Sequence, residues 1–217
     1  MTIAERKARE RQEMRSMILD TARSLFIEEG FGNVSIRRIA EKIEYSPATI
    51  YLYFKDKDEI LYAVHNLGFE LLMEKFRDTV VIADPFEQLQ AVIRRYLEFA
   101  IEHPGYYDLM FIMSGPIKTI HAGKDEWSYG RQAFDFFNTL VQVCVDAGHL
   151  PRDSREFAAF ALWGYVHGVA ALIIRRRCPM LEQYQLAGVA VASGELLNQL
   201  IAGYRAAQSK PHDSSAL

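Results

Sequence analysis

The chain has 217 residues, a formal net charge of −3, 50% apolar residues and two cysteines. That apolar content supports a sizeable core in one or two domains. Cys144 and Cys178 cannot make a disulfide framework, and no Cys/His spacing matches a zinc site. Charge is divided only mildly, with 11 Lys/Arg against 9 Asp/Glu in residues 1–57 and 14 against 19 beyond. The opening MTIAERKARERQEMR has no apolar run behind it, so a secretory signal is not expected and a reducing cytoplasm is.

Strand-like alternation is nearly absent, and helical periodicity fills the chain, so an all-α fold of about nine helices is expected. The first helix is expected over about 8–29, with Ile18, Ala22, Leu25 and Phe26 on one face and Gly30 closing it. Ser35 stands as N-cap before Ile36, Ile39, Ala40 and Ile43. After a break at Glu44–Tyr45, Ser46 caps a second short helix with Pro47 at its first position. Ile50 and Phe54, four apart, face inward. Asp56 caps a longer helix running to about Thr79. Further helices are expected at 85–102, 105–113, 126–147, 153–177 and 183–207, with 116–125 as loop and a disordered polar tail over 208–217.

Two short serine-capped helices around a tight turn make a helix-turn-helix candidate, and its chemistry suits duplex DNA. The second helix needs a small-sided start to approach base edges in the major groove, which Pro47 and Ala48 provide. Thr49 offers a hydroxyl and a methyl to bases. Tyr51 and Tyr53 can donate to phosphates on either wall, Lys57 adds charge, and Ser35 can hold a phosphate. The bland alternative is that the tyrosines rim a core and the Lys55/Lys57 pair is a solvated surface.

The stretch ILDTARSLFIEEGFGNVSIRRIAEKIEYSPATIYLYFKDKDEILYAV, Ile18–Val64, closely resembles the DNA-binding domain of the TetR family of transcriptional regulators. The resemblance implies a helix-turn-helix domain over 8–56 and a ligand-binding and dimerisation domain over 57–207. It also implies that the DNA contacts lie among Ser35, Arg38, Tyr45, Ser46, Pro47, Ala48, Thr49, Tyr51, Tyr53 and Lys57. Two departures stand out. Glu44 occupies a turn position where the family usually has glycine, and Tyr53 replaces the more usual histidine.

Farther on, His103-Pro104-Gly105-Tyr106-Tyr107 and Trp163-x-x-x-His167-Gly168 look like a recurrent TetR subtype with a Trp-His-Gly signature. Phe157–Ile174 carries no formal charge and contains Gly164-x-x-x-Gly168. Alone it reads as a short membrane span or an interface helix, and the resemblance turns it into a dimer helix. Gly164, Gly168, Ala171, Leu197, Leu200, Ile201 and Tyr204 are the expected dimer residues, with Leu186 and Val189 adding apolar surface. The aromatic and Met-rich stripe is either plain core or the wall of a pocket for an apolar or aromatic small molecule. Its candidates are Tyr96, Phe99, Tyr107, Met110, Phe111, Phe134, Phe137, Trp163 and His167, with Met113 and Trp127 in the same stripe.

No cofactor or metal is expected, and the six scattered histidines suggest no enzyme site. The expected function is a repressor that binds a palindromic operator as a homodimer and is released by a small molecule. An activator of the same fold is the alternative, and a membrane-associated interaction protein a remote one.

Overall fold

The computed structural model describes residues 2–112, 128–150, 157–177 and 186–208. Among them the chain forms nine α-helices and no strand. These are α1 Ile3–Glu29, α2 Ile36–Lys42, α3 Pro47–Tyr51, α4 Lys57–Phe76, α5 Pro85–Glu102, α6 Pro104–Tyr107, α7 Ser128–Asp146, α8 Ala158–Ile174 and α9 Leu186–Gln208. A 3₁₀ turn, Arg77–Thr79, continues α4, and a π turn, Asp108–Ile112, continues α6. The expected loop at 116–125, Met113, Trp127, Cys178 and the tail beyond Gln208 lie outside the described residues.

The chain divides into two compact units. The first takes the described residues of Met1–Leu71 and Gly105–Gly130, the second those of Leu72–Pro104 and Arg131–Leu217.

In the first unit α1 starts five residues earlier than periodicity indicates, because a capping box fixes its end. Thr2 Oγ1 accepts from the Glu5 N–H at 3.2 Å, and the Thr2 N–H donates to the Glu5 carboxylate at 2.7 Å. Ile18, Ala22, Leu25 and Phe26 are buried as expected, as are Ile39, Ile50 and Phe54 from the following segments. α2 packs on α1 and on α3. Residues 105–112 join this unit through close approaches that two glycines permit. A Cβ on Gly68 would stand 2.4 Å from Met110 Sδ, and one on Gly105 would stand 2.2 Å from Ile27 Cδ1. Arg23 also donates to the Tyr106 hydroxyl at 3.2 Å, with its guanidinium 5.1 Å over the same ring.

In the second unit Asp84 accepts from the Glu87 N–H at 2.9 Å and Pro85 opens α5, giving the bounds the sequence predicts. α5 packs against α8 and α9, which also pack on each other. The Cys144 thiol donates to the Pro85 carbonyl at 3.2 Å, and burial pushes its pKa up to about 11. Among the described residues no helix is long and apolar enough to cross a membrane.

Candidate nucleic-acid interface

The interface is built from α2, the turn after it, and α3. Ser35 Oγ accepts from the Arg38 N–H at 3.1 Å, and Ser46 Oγ from the Thr49 N–H at 3.3 Å, so both expected caps form. α2 stops in a Schellman turn. The Tyr45 N–H reaches back to the Ala40 carbonyl at 3.0 Å and the Glu44 N–H to the Glu41 carbonyl at 3.2 Å. That places Glu44 at φ +59°, a left-handed conformation in which a side chain other than glycine is strained.

The turn aims α3 so that Ile50 and Phe54 are buried while Ala48, Tyr51 and Leu52 face outward. Tyr51 is 57% exposed and Leu52 73%. Tyr45 and Ser46 are exposed as well, and Pro47, Thr49 and Tyr53 are half-buried. Leu52 is absent from the contacts the sequence suggests, although its place opposite Ile50 and Phe54 on the helix already put it outward. Large apolar side chains gain by leaving water, so the exposed Leu52, at the C-terminal end of α3, is a candidate partner for an apolar base edge.

The two basic residues of the expected DNA set, Arg38 and Lys57, also have partners within the unit. Arg38 donates from Nε and Nη2 to one Glu29 carboxylate oxygen, at 3.1 and 2.8 Å. That hydrogen bond, more than the accompanying charge attraction, holds the Glu29 carboxyl below the usual carboxylate range and raises the pKa of Arg38. Lys57 Nζ donates to the Phe31 carbonyl at 2.7 Å and lies 4.1 Å over the Phe31 ring, bracing the Gly-Phe turn. Neither partner was legible from spacing, because they stand nine and twenty-six residues away in the chain.

Two family models match this chain: bacterial regulatory proteins of the tetR family over residues 18–64, and the tetracyclin repressor-like C-terminal domain over residues 89–192. The chain belongs to the TetR family. The Bacillus subtilis (strain 168) protein YobS, an uncharacterized HTH-type transcriptional regulator, is 24% identical over 84% of this chain and 92% of its own length. The HTH-type transcriptional regulator SAR2658 of Staphylococcus aureus (strain MRSA252) is 28% identical over 57% of this chain, which spans 62% of that relative. In fold the chain resembles the fatty acid degradation regulator FadR from Bacillus halodurans, with a TM-score of 0.69 at 17% identity over 84% of this chain and 93% of that one. It is thus a TetR-family DNA-binding transcriptional regulator.

The nine pocket candidates of this TetR-family chain fall into both units. Tyr107, Met110 and Phe111 belong to the first. There Phe111 meets Phe69 and Tyr107, at ring-centroid distances of 5.5 and 5.1 Å. In the second unit Phe99 and Phe137 are buried. Tyr96, Phe134, Trp163 and His167 form a connected set. The Tyr96 hydroxyl and His167 Nδ1 share a hydrogen bond at 3.2 Å, and the Trp163 ring stands 5.3 Å from His167 and 6.4 Å from Phe134. Desolvation lowers the pKa of His167, so it is neutral near pH 7. None of the nine lines the 620 Å³ groove between α5 and α9, whose walls include Ile93, Leu97, Gly194 and Asn198.

The dimer residues divide by helix. On α8, Gly164 is exposed and Gly168 half-buried, a Cβ on either would meet nothing within 4 Å, and exposed Phe157, Phe160 and Leu172 share their side. On α9 the reading needs correcting. Leu197 and Ile201 are each only 6% exposed, so they fill the subunit's own core and cannot cover a partner. The outward side of α9 is mixed: Gly188, Val191, Ala192, Glu195, Leu196, Gln199, Ala202 and Gly203. The side chains of Leu186, Val189, Leu200 and Tyr204 lie outside the described residues.

Proposed function

We propose that this TetR-family protein is a repressor, of the subtype with a Trp-His-Gly signature, acting in the cytoplasm on a palindromic operator. The helix-turn-helix of residues 8–56 reads DNA, and residues 57–207 carry ligand binding and dimerisation. The observation that carries the reading is α3: its apolar side is buried on its own unit, while Ala48, Tyr51 and Leu52 point to solvent. Ser35, Tyr45, Ser46, Tyr51 and Tyr53 hold phosphates. Pro47, Ala48 and Thr49 approach base edges. Arg38 reaches a phosphate by exchanging Glu29 for it, and Lys57 retains two N–H donors after bonding Phe31.

Two copies pair through the outward sides of α8 and α9, with Gly164, Gly168 and Ala171 at the closest approach. A pair of recognition helices then meets successive major grooves about 34–36 Å apart. The releasing ligand is apolar or aromatic, held at the Phe134–Trp163 edge with Tyr96 and His167 as its polar handle. It acts only by binding one dimer geometry better than the other.

The test is a mobility shift on the DNA upstream of the protein's own gene, with salt varied, joined to a reporter in which the gene is deleted. Specific, salt-sensitive retardation and increased reporter output on deletion are expected. Absence of specific binding refutes the regulator reading, and reduced output on deletion replaces repressor with activator.

A further inference from the structure

Resting on that reading, we infer that the first four turns of α1 form a second DNA contact, a cationic rail for the phosphates flanking the groove that α3 enters. The family match begins at residue 18, whereas α1 begins at Ile3, so about 22 Å of helix precedes the recognised domain. Along it Lys7, Arg11 and Arg15 recur at i, i+4 and i+8 on one side. That side continues directly into Ile18, Ala22 and Leu25, which are buried. The stripe of α1 that faces its neighbours therefore changes from apolar to cationic where the protein core runs out.

What stands beside the cationic part is the trailing end of the recognition segment. The Arg11 guanidinium lies 5.8 Å from the Tyr53 ring centroid and that of Arg15 lies 5.1 Å from Phe54. These contacts place the rail next to the tyrosine already assigned to a phosphate. The other cations of the same turns are neutralised. Arg6 pairs with Glu10 at 3.5 Å and Arg9 with Glu13 at 3.4 Å. No carboxylate among the described residues pairs with Lys7, Arg11 or Arg15. A row of unpaired cations about 6 Å apart along the axis, beside a groove-entering helix, is complementary to the polyanionic backbone of a duplex.

The experiment uses the full chain and a labelled mixed-sequence duplex, with anisotropy titrations between about 50 and 200 mM salt. Lys7→Gln/Arg11→Gln is compared with Arg6→Gln/Arg9→Gln, which removes the same formal charge from the paired sides. The rail requires the first variant to flatten the slope of log K against log salt by about 1.8 for each bound head, and the second to leave it unchanged. Lys7→Gln alone, at an exposed residue outside the contacts with α3, flattens it by about 0.9. An unchanged slope in Lys7→Gln/Arg11→Gln, or equal flattening in both double variants, overturns the rail. If the unaltered chain shows no salt-dependent DNA binding, the regulator reading itself fails, and the rail with it.

Discussion

Replacing Glu44 with glycine removes two features at once: a side chain on a left-handed backbone and a carboxylate on the rim of the reading head. At φ +59°, within a Schellman turn closed by the Tyr45 and Glu44 N–H groups, the Cβ crowds the following carbonyl. Relief of that crowding is worth about 1–2 kcal/mol. Glycine returns about 0.5–1 kcal/mol through the greater freedom of its unfolded chain. The net gain is therefore about 0.5–1 kcal/mol, which raises the melting temperature by roughly 1–4 °C for a chain of this size. Glu44→Ala keeps the Cβ and gains nothing, whereas Glu44→Asn recovers part of the gain because asparagine tolerates this region. Glu44→Gln separates charge from strain: melting stays level, while DNA affinity rises as much as in Glu44→Gly and the rise fades with salt. Calorimetry and anisotropy on the four variants make the check. A lower melting temperature for Glu44→Gly, or an equal gain from Glu44→Ala, refutes the strain argument.

Three further outcomes follow from other contacts. Glu29→Gln releases Arg38, so DNA affinity increases at low salt, and Glu29→Gln/Arg38→Gln cancels the increase, as anisotropy titration reads. His65 is buried, and desolvation lowers its pKa to about 4, so the unfolded chain binds a proton that the folded one refuses between about pH 6.5 and 4. Folding stability is thus lost as pH falls through that window, by on the order of 3 kcal/mol in full, and urea melts of His65→Leu show a shallower loss than the unaltered protein. A Cβ added at Gly164 meets nothing within 4 Å, so in Gly164→Leu the far-ultraviolet spectrum and the helix content stay unchanged while light scattering shows the dimer weakened by about tenfold.

What was legible in the sequence was local. The caps at Ser35, Ser46, Asp56 and Asp84 all form, and Ile50 and Phe54 turn inward together. Capping and amphipathic facing depend on residues three or four apart, so adjacent letters are enough to specify them. The Glu44 departure was visible through the family resemblance, and the structure gives its physical meaning, a left-handed position in a Schellman turn. The start of α1 was missed although its signal was present, Thr2 with Glu5 three residues later.

The tertiary structure decided what each face meets. α8 is apolar nearly all round, and periodicity cannot choose between its sides. Packing against α5 sends Leu197 and Ile201 inward and leaves Gly164 and Ala192 at the surface. In the same way only folding brings Glu29 beside Arg38, and Tyr53 and Phe54 beside Arg11 and Arg15. A sequence states that a helix has sides, because side-chain spacing is a property of one element. Which side becomes core, partner surface or phosphate contact is set by atoms arriving from distant parts of the chain.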